Sequence, residues 1–189
     1  NKALIPWIEA LLDHGEAFYE KHGKPLFSSH MLDLSADPID FNLSESARIL
    51  ERMAKIGMSL EIELGVTGGE EDGIGSEFDE AADNAHLYTQ PEDVLRAYDL
   101  LAPIGHFSVA ASFGNVHGVY KPGNVKLRPE ILKNSQALVE QTHGTEHNPL
   151  HLVFHGGSGS EKSKIAEAVS YGVFKMNIDT DTQFAFSEP

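Results

Sequence analysis

Five short apolar segments, separated by amphipathic helical patterns, most constrain what this chain can fold into. They are "PLFSSHMLD" (25–33), "SLEIELG" (59–65), "FSVAASFG" (107–114), "LHLVFHG" (150–156) and "VFKMNID" (173–179). Each is nearly continuous in apolar character and gathers polar residues at its C-terminal end, as parallel strands covered by helices do. Between them, Leu4, Ile8, Leu11, Leu12 and Phe18 form a helical face that stops at Gly23. Ile49, Leu50, Met53 and Ile56 form another, ending at Gly57. Thr89 and Glu92 have the spacing of a capping box opening a helix through Val94, Leu95 and Tyr98. Ile131, Leu132, Ala137 and Leu138 mark the next helix, and Ile165, Ala166 and Val169 the last. Strand and helix alternate without an antiparallel hairpin signal, which predicts an α/β fold. No linker divides residues 1–189, so they read as a single domain. The irregular piece is "GVTGGEEDGIGSEFDEAADNAHLY" (65–88), acidic and glycine-rich, expected to be a mobile functional loop.

Composition excludes several function classes. A formal charge of −15 argues against a nucleic-acid partner, which would want a basic face. No apolar run approaches transmembrane length, so no membrane partner is expected. With 0 cysteines, disulfides and thiolate metal sites are excluded, which is compatible with the cytoplasm.

The polar residues fall where a parallel sheet collects its chemistry. Asp33 ends the first apolar segment, Glu63 the second, His117 follows the third, His155 the fourth, and Asn177 and Asp179 the fifth. Strand C-termini converge on one face of a parallel barrel or sheet. Two histidines and two carboxylates there suit a divalent metal of the zinc type. Singly, each residue also has a plain structural reading: a hydrogen-bonding rim histidine, an Asp33 helix cap, a Glu63 ion pair. The repetition of "FGNVHG" and "VFHGG" on two strands favours the metal. The loop "FHGGSGSEKS" (154–163) has the glycines of a phosphate site. It matches neither nucleotide pattern, because Glu161 precedes Lys162-Ser163 and Lys162 stands where a third glycine belongs.

Taken together, "SSHMLDLS", "LEIELGVTGGEEDG", "AASFGNVHGVYKPGNV", "VFHGGSGS" and "KMNIDTDTQ" resemble the class II, metal-dependent fructose-bisphosphate aldolases over essentially the whole chain. The resemblance implies a (β/α)8 TIM barrel, here an incomplete one of about five strands with their helices, commonly assembled as a homodimer. It implies that His117 and His155 are two of three ligands of a catalytic zinc, with Asp33 and Glu63 at a second divalent position. Glu71 matches the general base; adjacent Glu70 would serve the second metal or be a solvated charge. Gly118, Gly156, Gly157 and Ser158, with Asn177, Ile178, Asp179 and Thr180, match the cradle for dihydroxyacetone phosphate, and Lys121 a further phosphate contact. The backbone carbonyls of Val116, Gly118 and Gly156 resemble a monovalent-cation site for Na+ or K+.

The activity so implied is reversible aldol cleavage of fructose 1,6-bisphosphate to dihydroxyacetone phosphate and glyceraldehyde 3-phosphate, in glycolysis and gluconeogenesis. A metal on the substrate oxygens acts as Lewis acid, and Glu71 takes the C3 proton in the condensation direction. The family's third zinc histidine and the acid beside it belong upstream of the segment matching "NKALIPW", and an arginine for the other phosphate belongs downstream. The stretch therefore reads as internal to a longer chain, with "PLFSSHML" and "VFKMNID" as exposed sheet edges. His117 and His155 are expected to point at one ion. Three rivals remain: a tagatose-bisphosphate aldolase, a non-catalytic binding protein on the same barrel, and a Schiff-base aldolase using Lys175. Against the last stands a plainer Lys175 that faces outward and snorkels between helices.

Overall fold

A computed structural model describes residues 3–65, 68–71, 74–76, 88–117 and 127–188, of which 68–71, 74–76 and 116–117 are described as backbone alone. Its strands are β1 (Ser29–Leu32), β2 (Ser59–Leu64), β3 (Gly68–Glu71), β4 (Ile74–Ser76), β5 (Phe107–Ala111), β6 (Val116–His117), β7 (Leu152–Phe154) and β8 (Val173–Met176). Its helices are α1 (Leu4–His22), α2 (Ile39–Lys55), α3 (Pro91–Leu101), α4 (Glu130–His143), α5 (Lys162–Ser170) and α6 (Thr180–Ser187). The five expected strands pair in parallel in the order β1-β2-β5-β7-β8. This is the order that short right-handed crossovers produce. β1 and β8 are the two edges, as expected, and Phe174 on β8 is 65% exposed.

Alternation along β2 sorts its side chains. Leu60, Ile62 and Leu64 are buried in one cluster with Ile49, Leu50 and Met53 of α2. Period-two geometry therefore turns Glu61 and Glu63 to the opposite face of the sheet, where both are also buried. Each fully buried Leu or Ile stabilises by roughly 1.5–3 kcal/mol. α1 stops at Gly23, whose left-handed backbone (φ 66°) donates its N–H to Tyr19 O. Two arginines fasten α2 to α1. Arg52 grips Glu16 through two nitrogens at 2.8–2.9 Å and Asp13 at 2.7 Å, while Arg48 reaches Glu9 at 2.7 Å.

Gln136 on α4 aligns the starts of β7 and β8. Its amide donates to Leu150 O at 3.0 Å and Tyr171 O at 2.9 Å, and its carbonyl accepts from Leu150 N at 2.9 Å. Edge-to-face packing of Phe113 on Phe154, with centroids 4.8 Å apart, closes the outer core behind β5 and β7.

Three local expectations are corrected. The capping box is not formed: α3 starts after Gln90 with Pro91 in its first turn, and no side chain caps it. Thr89 is instead buried, its hydroxyl donating to Leu64 O and accepting from Ser112 N, so it joins the ends of β2 and β5. Gly65 (φ 80°) makes room for this, since a Cβ there would stand 2.8 Å from Thr89 N. The segment read as an irregular loop contains an antiparallel pair, β3 with β4, that alternation did not signal. α6 was also unforeseen, its apolar residues being too sparse for a helical face. Phe184 and Phe186 on it are 65% and 92% exposed.

Candidate active site

β2, β7 and β8 present one connected polar cluster on the face away from the helices. His155 follows β7 directly. Its Nε2 lies 2.9 Å from Glu61 Oε1 and its Nδ1 3.2 Å from Glu63 Oε2, so the ring bridges two carboxylates of one strand. The other oxygen of Glu61 accepts from Lys175 Nζ at 2.6 Å. Glu61 and Lys175 sit on strands three places apart in the sheet, roughly 14 Å if it were flat. Their meeting requires a curved sheet whose concave face holds both side chains. Lys175 is therefore inward, and the outward, snorkelling orientation is corrected: register places it beside Val153, on the concave face with His155.

Burial and charge oppose each other here. Burial acts against a charged His155, but the hydrogen bonds its ring donates to Glu61 and then Glu63 outweigh it and raise the imidazole to about 9. Burial likewise opposes an ionised Glu61, and hydrogen bonds from His155 and Lys175 hold its carboxyl below the usual carboxylate range. The donor set fits a divalent cation. The fit is one of donor type: an imidazole and two carboxylates, with side chains 5–7% exposed, one carboxylate at each ring nitrogen of His155 and Lys175 beside Glu61. Among the described residues, no group of three or more donors is already arranged around one point.

The glycine loop after His155 meets the end of β8. Gly157 N donates to Asn177 O at 2.9 Å, and Asn177 N to Phe154 O at 2.9 Å. A Cβ on Gly157 would lie 2.7 Å from Met176 Cγ and 3.1 Å from Asn177 O, so only glycine fits this approach. Asp181 in the first turn of α6 accepts from Gly159 N at 2.9 Å, and its own N–H donates to Ser158 Oγ at 3.1 Å. Gly157 is thus bonded to Asn177, and Ser158 and Gly159 to Asp181, so the loop after His155 is tied to the segment that follows β8. The N–H groups of Gly157 and Gly159 are already engaged in these bonds.

The remaining expected residues divide by location. Asp33 is exposed just beyond the last β1–β2 pair, Leu32 with Ile62, so its backbone adjoins that of Glu63. Its Oδ1 accepts from Ser35 N at 3.0 Å and Ser35 Oγ at 2.7 Å, which fastens the turn after β1. β3 pairs in parallel with β6, Gly68 with Val116 and Gly69 with His117. That register carries the Glu71 backbone to within two residues of the His117 pairing. The side chains of Glu70, Glu71, Val116 and His117 lie outside the described residues, as do Gly118 and Lys121 entirely. So does the expected convergence of His117 and His155 on one ion, and the mobility expected of the loop likewise falls mainly on residues outside the description.

Two site residues were missed. Glu61 was legible in principle, because "LEIEL" puts it on the same face as Glu63. Asn115, 1% exposed, donates through Nδ2 to His155 O at 2.9 Å and accepts at Oδ1 from Phe113 N at 2.8 Å. It ties the turn leading to His117 to the backbone of His155, and no local pattern announces it.

Residues 5–189 match the family model for class-II fructose-bisphosphate aldolase. The chain belongs to this family. The fructose-bisphosphate aldolase of Edwardsiella ictaluri is 60% identical over 185 residues, 97% of this chain and 51% of its own length. Fructose-bisphosphate aldolase class 2 of Escherichia coli K12 is 59% identical over 190 residues, again 97% of this chain and 51% of that protein. A crystal structure of fructose-bisphosphate aldolase from Campylobacter jejuni superposes with a TM-score of 0.81 at 55% identity, covering 97% of this chain and 51% of that one. The chain spans about half the length of the relatives it matches. Its five-stranded parallel sheet is accordingly an incomplete (β/α)8 barrel. Class II aldolases are metal-dependent.

Proposed function

We propose that the full-length protein catalyses reversible, metal-dependent aldol cleavage of fructose 1,6-bisphosphate to dihydroxyacetone phosphate and glyceraldehyde 3-phosphate. One observation carries this reading: a buried histidine between two carboxylates opens directly into a glycine loop at the C-terminal ends of a parallel sheet. That is the arrangement needed to hold a cation and a phosphate a few ångströms apart. His155 and Glu63, with His117, would hold the ion, which is zinc in this reading, and Asp33 would extend the site to a second divalent ion. When bound, such an ion supplies Lewis acidity toward the substrate's carbonyl oxygen.

The chain's own residues do the rest. The loop at Gly156, Gly157 and Ser158, facing Asn177 to Thr180 and joined by Gly118 and Lys121, would seat one phosphate and so fix the triose. Glu71 would then hold its carboxylate at C3 and take or return the proton there, on a segment that register brings to the His117 strand. The carbonyls of Val116, Gly118 and Gly156 would hold Na+ or K+ and pin the loop backbone. Lys175 has its ammonium committed to Glu61, so the Schiff-base route loses its nucleophile. Homodimers in the cytoplasm acting on sugar bisphosphates complete the reading. It draws on the names of relatives 59–60% identical, the absence of cysteine, and an acidic charge unsuited to nucleic acid.

The test is triose phosphate release from fructose 1,6-bisphosphate by the purified full-length protein, before and after chelation and after zinc is restored. Activity should vanish and return, and tagatose 1,6-bisphosphate should be the poorer substrate. Glu71→Gln should lower kcat far more than it raises KM. Full turnover in a verified metal-free sample, or a covalent adduct at Lys175 after borohydride treatment with substrate, would refute the reading.

A further inference from the structure

The aldol reading leaves Glu61 and Lys175 unused, although both are bound into the cluster around His155. We propose that they form a positioning pair that locks the His155 ring in the tautomer whose Nδ1 is presented to the metal. The proposal rests on the reading that His155 holds that metal.

Glu61 uses both carboxylate oxygens: Oε1 is 2.9 Å from His155 Nε2 and Oε2 is 2.6 Å from Lys175 Nζ. An ionised carboxylate only accepts, so Nε2 donates to Glu61, and by the same rule Nδ1 donates toward Glu63 until an ion takes that nitrogen. A metal-bound imidazole is neutral and carries a single N–H. Once Glu61 claims it at Nε2, the metal-facing nitrogen is Nδ1. Nδ1 is directed toward Glu63, one pleat nearer the strand C-termini than Glu61. The carboxylate behind the ring thus sets both its rotation and its protonation pattern, which raises the basicity of the nitrogen in front.

Lys175 makes the lock rigid. It takes the second oxygen of Glu61, so the carboxylate cannot rotate away from Nε2, and its charge balances a carboxylate that is 5% exposed. Because Lys175 lies on β8 and Glu61 on β2, the pair also braces the concave face across β5 and β7, beneath the ring. A purely structural brace would affect stability alone, so the test reads the metal.

The measurement is zinc affinity of the metal-stripped full-length protein, by competition with a chromogenic chelator, together with the visible spectrum of the cobalt-loaded form. Glu61→Gln keeps the shape, but its amide offers Nε2 either a donor or an acceptor. It should weaken zinc binding about 10- to 100-fold and alter the cobalt spectrum. Lys175→Met keeps the acceptor and loses its anchor, so it should shift both readouts in the same direction by less. It serves as the test if Glu61→Gln does not fold. His155→Ala is the control and should lose more affinity than either. Affinity within twofold of wild type and an unchanged cobalt spectrum in the folded variant, with His155→Ala impaired, overturns the positioning role alone. His155→Ala within twofold of wild type overturns the assignment of His155 beneath it.

Discussion

Asn115→Ala should destabilise the protein and loosen His155 together. The side chain is 1% exposed and satisfies two backbone groups, His155 C=O at 2.9 Å and Phe113 N–H at 2.8 Å. Phe113 is fully buried and His155 is 6% exposed, so solvent has little access to replace the lost partners. Each orphaned group costs roughly 1–3 kcal/mol, which puts the total for the two at about 2–6 kcal/mol. With a urea slope of about 2 kcal/mol per M, a loss of about 3 kcal/mol moves the midpoint down by about 1.5 M. The assay is urea unfolding of the metal-stripped protein followed by circular dichroism. Asn115→Asp sharpens it: the carboxylate keeps the bond from Phe113 N–H but faces the His155 carbonyl with a second acceptor. Its deficit should therefore shrink as the pH falls and the new carboxyl protonates. A midpoint for Asn115→Ala within about 0.3 M of wild type, at unchanged slope, would refute the reasoning.

Gln136→Leu should cost about 3–5 kcal/mol, because it removes three hydrogen bonds to backbone groups at the starts of β7 and β8; thermal unfolding checks it, and a loss under about 1 kcal/mol would sink it. Arg52→Ala should cost no more than about 1 kcal/mol, because its partners are partly solvated. The sign of its pH dependence follows from Glu16, whose carboxyl the Arg52 hydrogen bond holds below its ordinary 4.5. That contribution is complete above about pH 4.5 and fades as the pH falls through the depressed folded value, so wild type and Arg52→Ala should converge in acid. A gap that widens on acidification would contradict this sign.

Sequence alone determined what depends on local periodicity. Near-continuous apolar runs with polar C-terminal ends specified five parallel strands, and short crossovers specified their order, because both are properties of neighbouring residues. The place of His155 and its glycine loop at one face follows from the same rule. The motif resemblance reached the family, confirmed over residues 5–189. Tertiary structure decided whatever depends on curvature or on competition for a hydroxyl. Thr89 has cap spacing, yet its hydroxyl is drawn to Leu64 O and Ser112 N, because those groups would otherwise be buried unpaired. The β3–β4 pair gives no alternation signal, since Gly68, Gly69 and Gly75 occupy three of its seven positions. Lys175 is equally plausible facing out or in until the sheet curves. Curvature then brings β8 across from β2, and the buried carboxylate of Glu61 draws the lysine inward, because a desolvated anion is costly without a cation beside it.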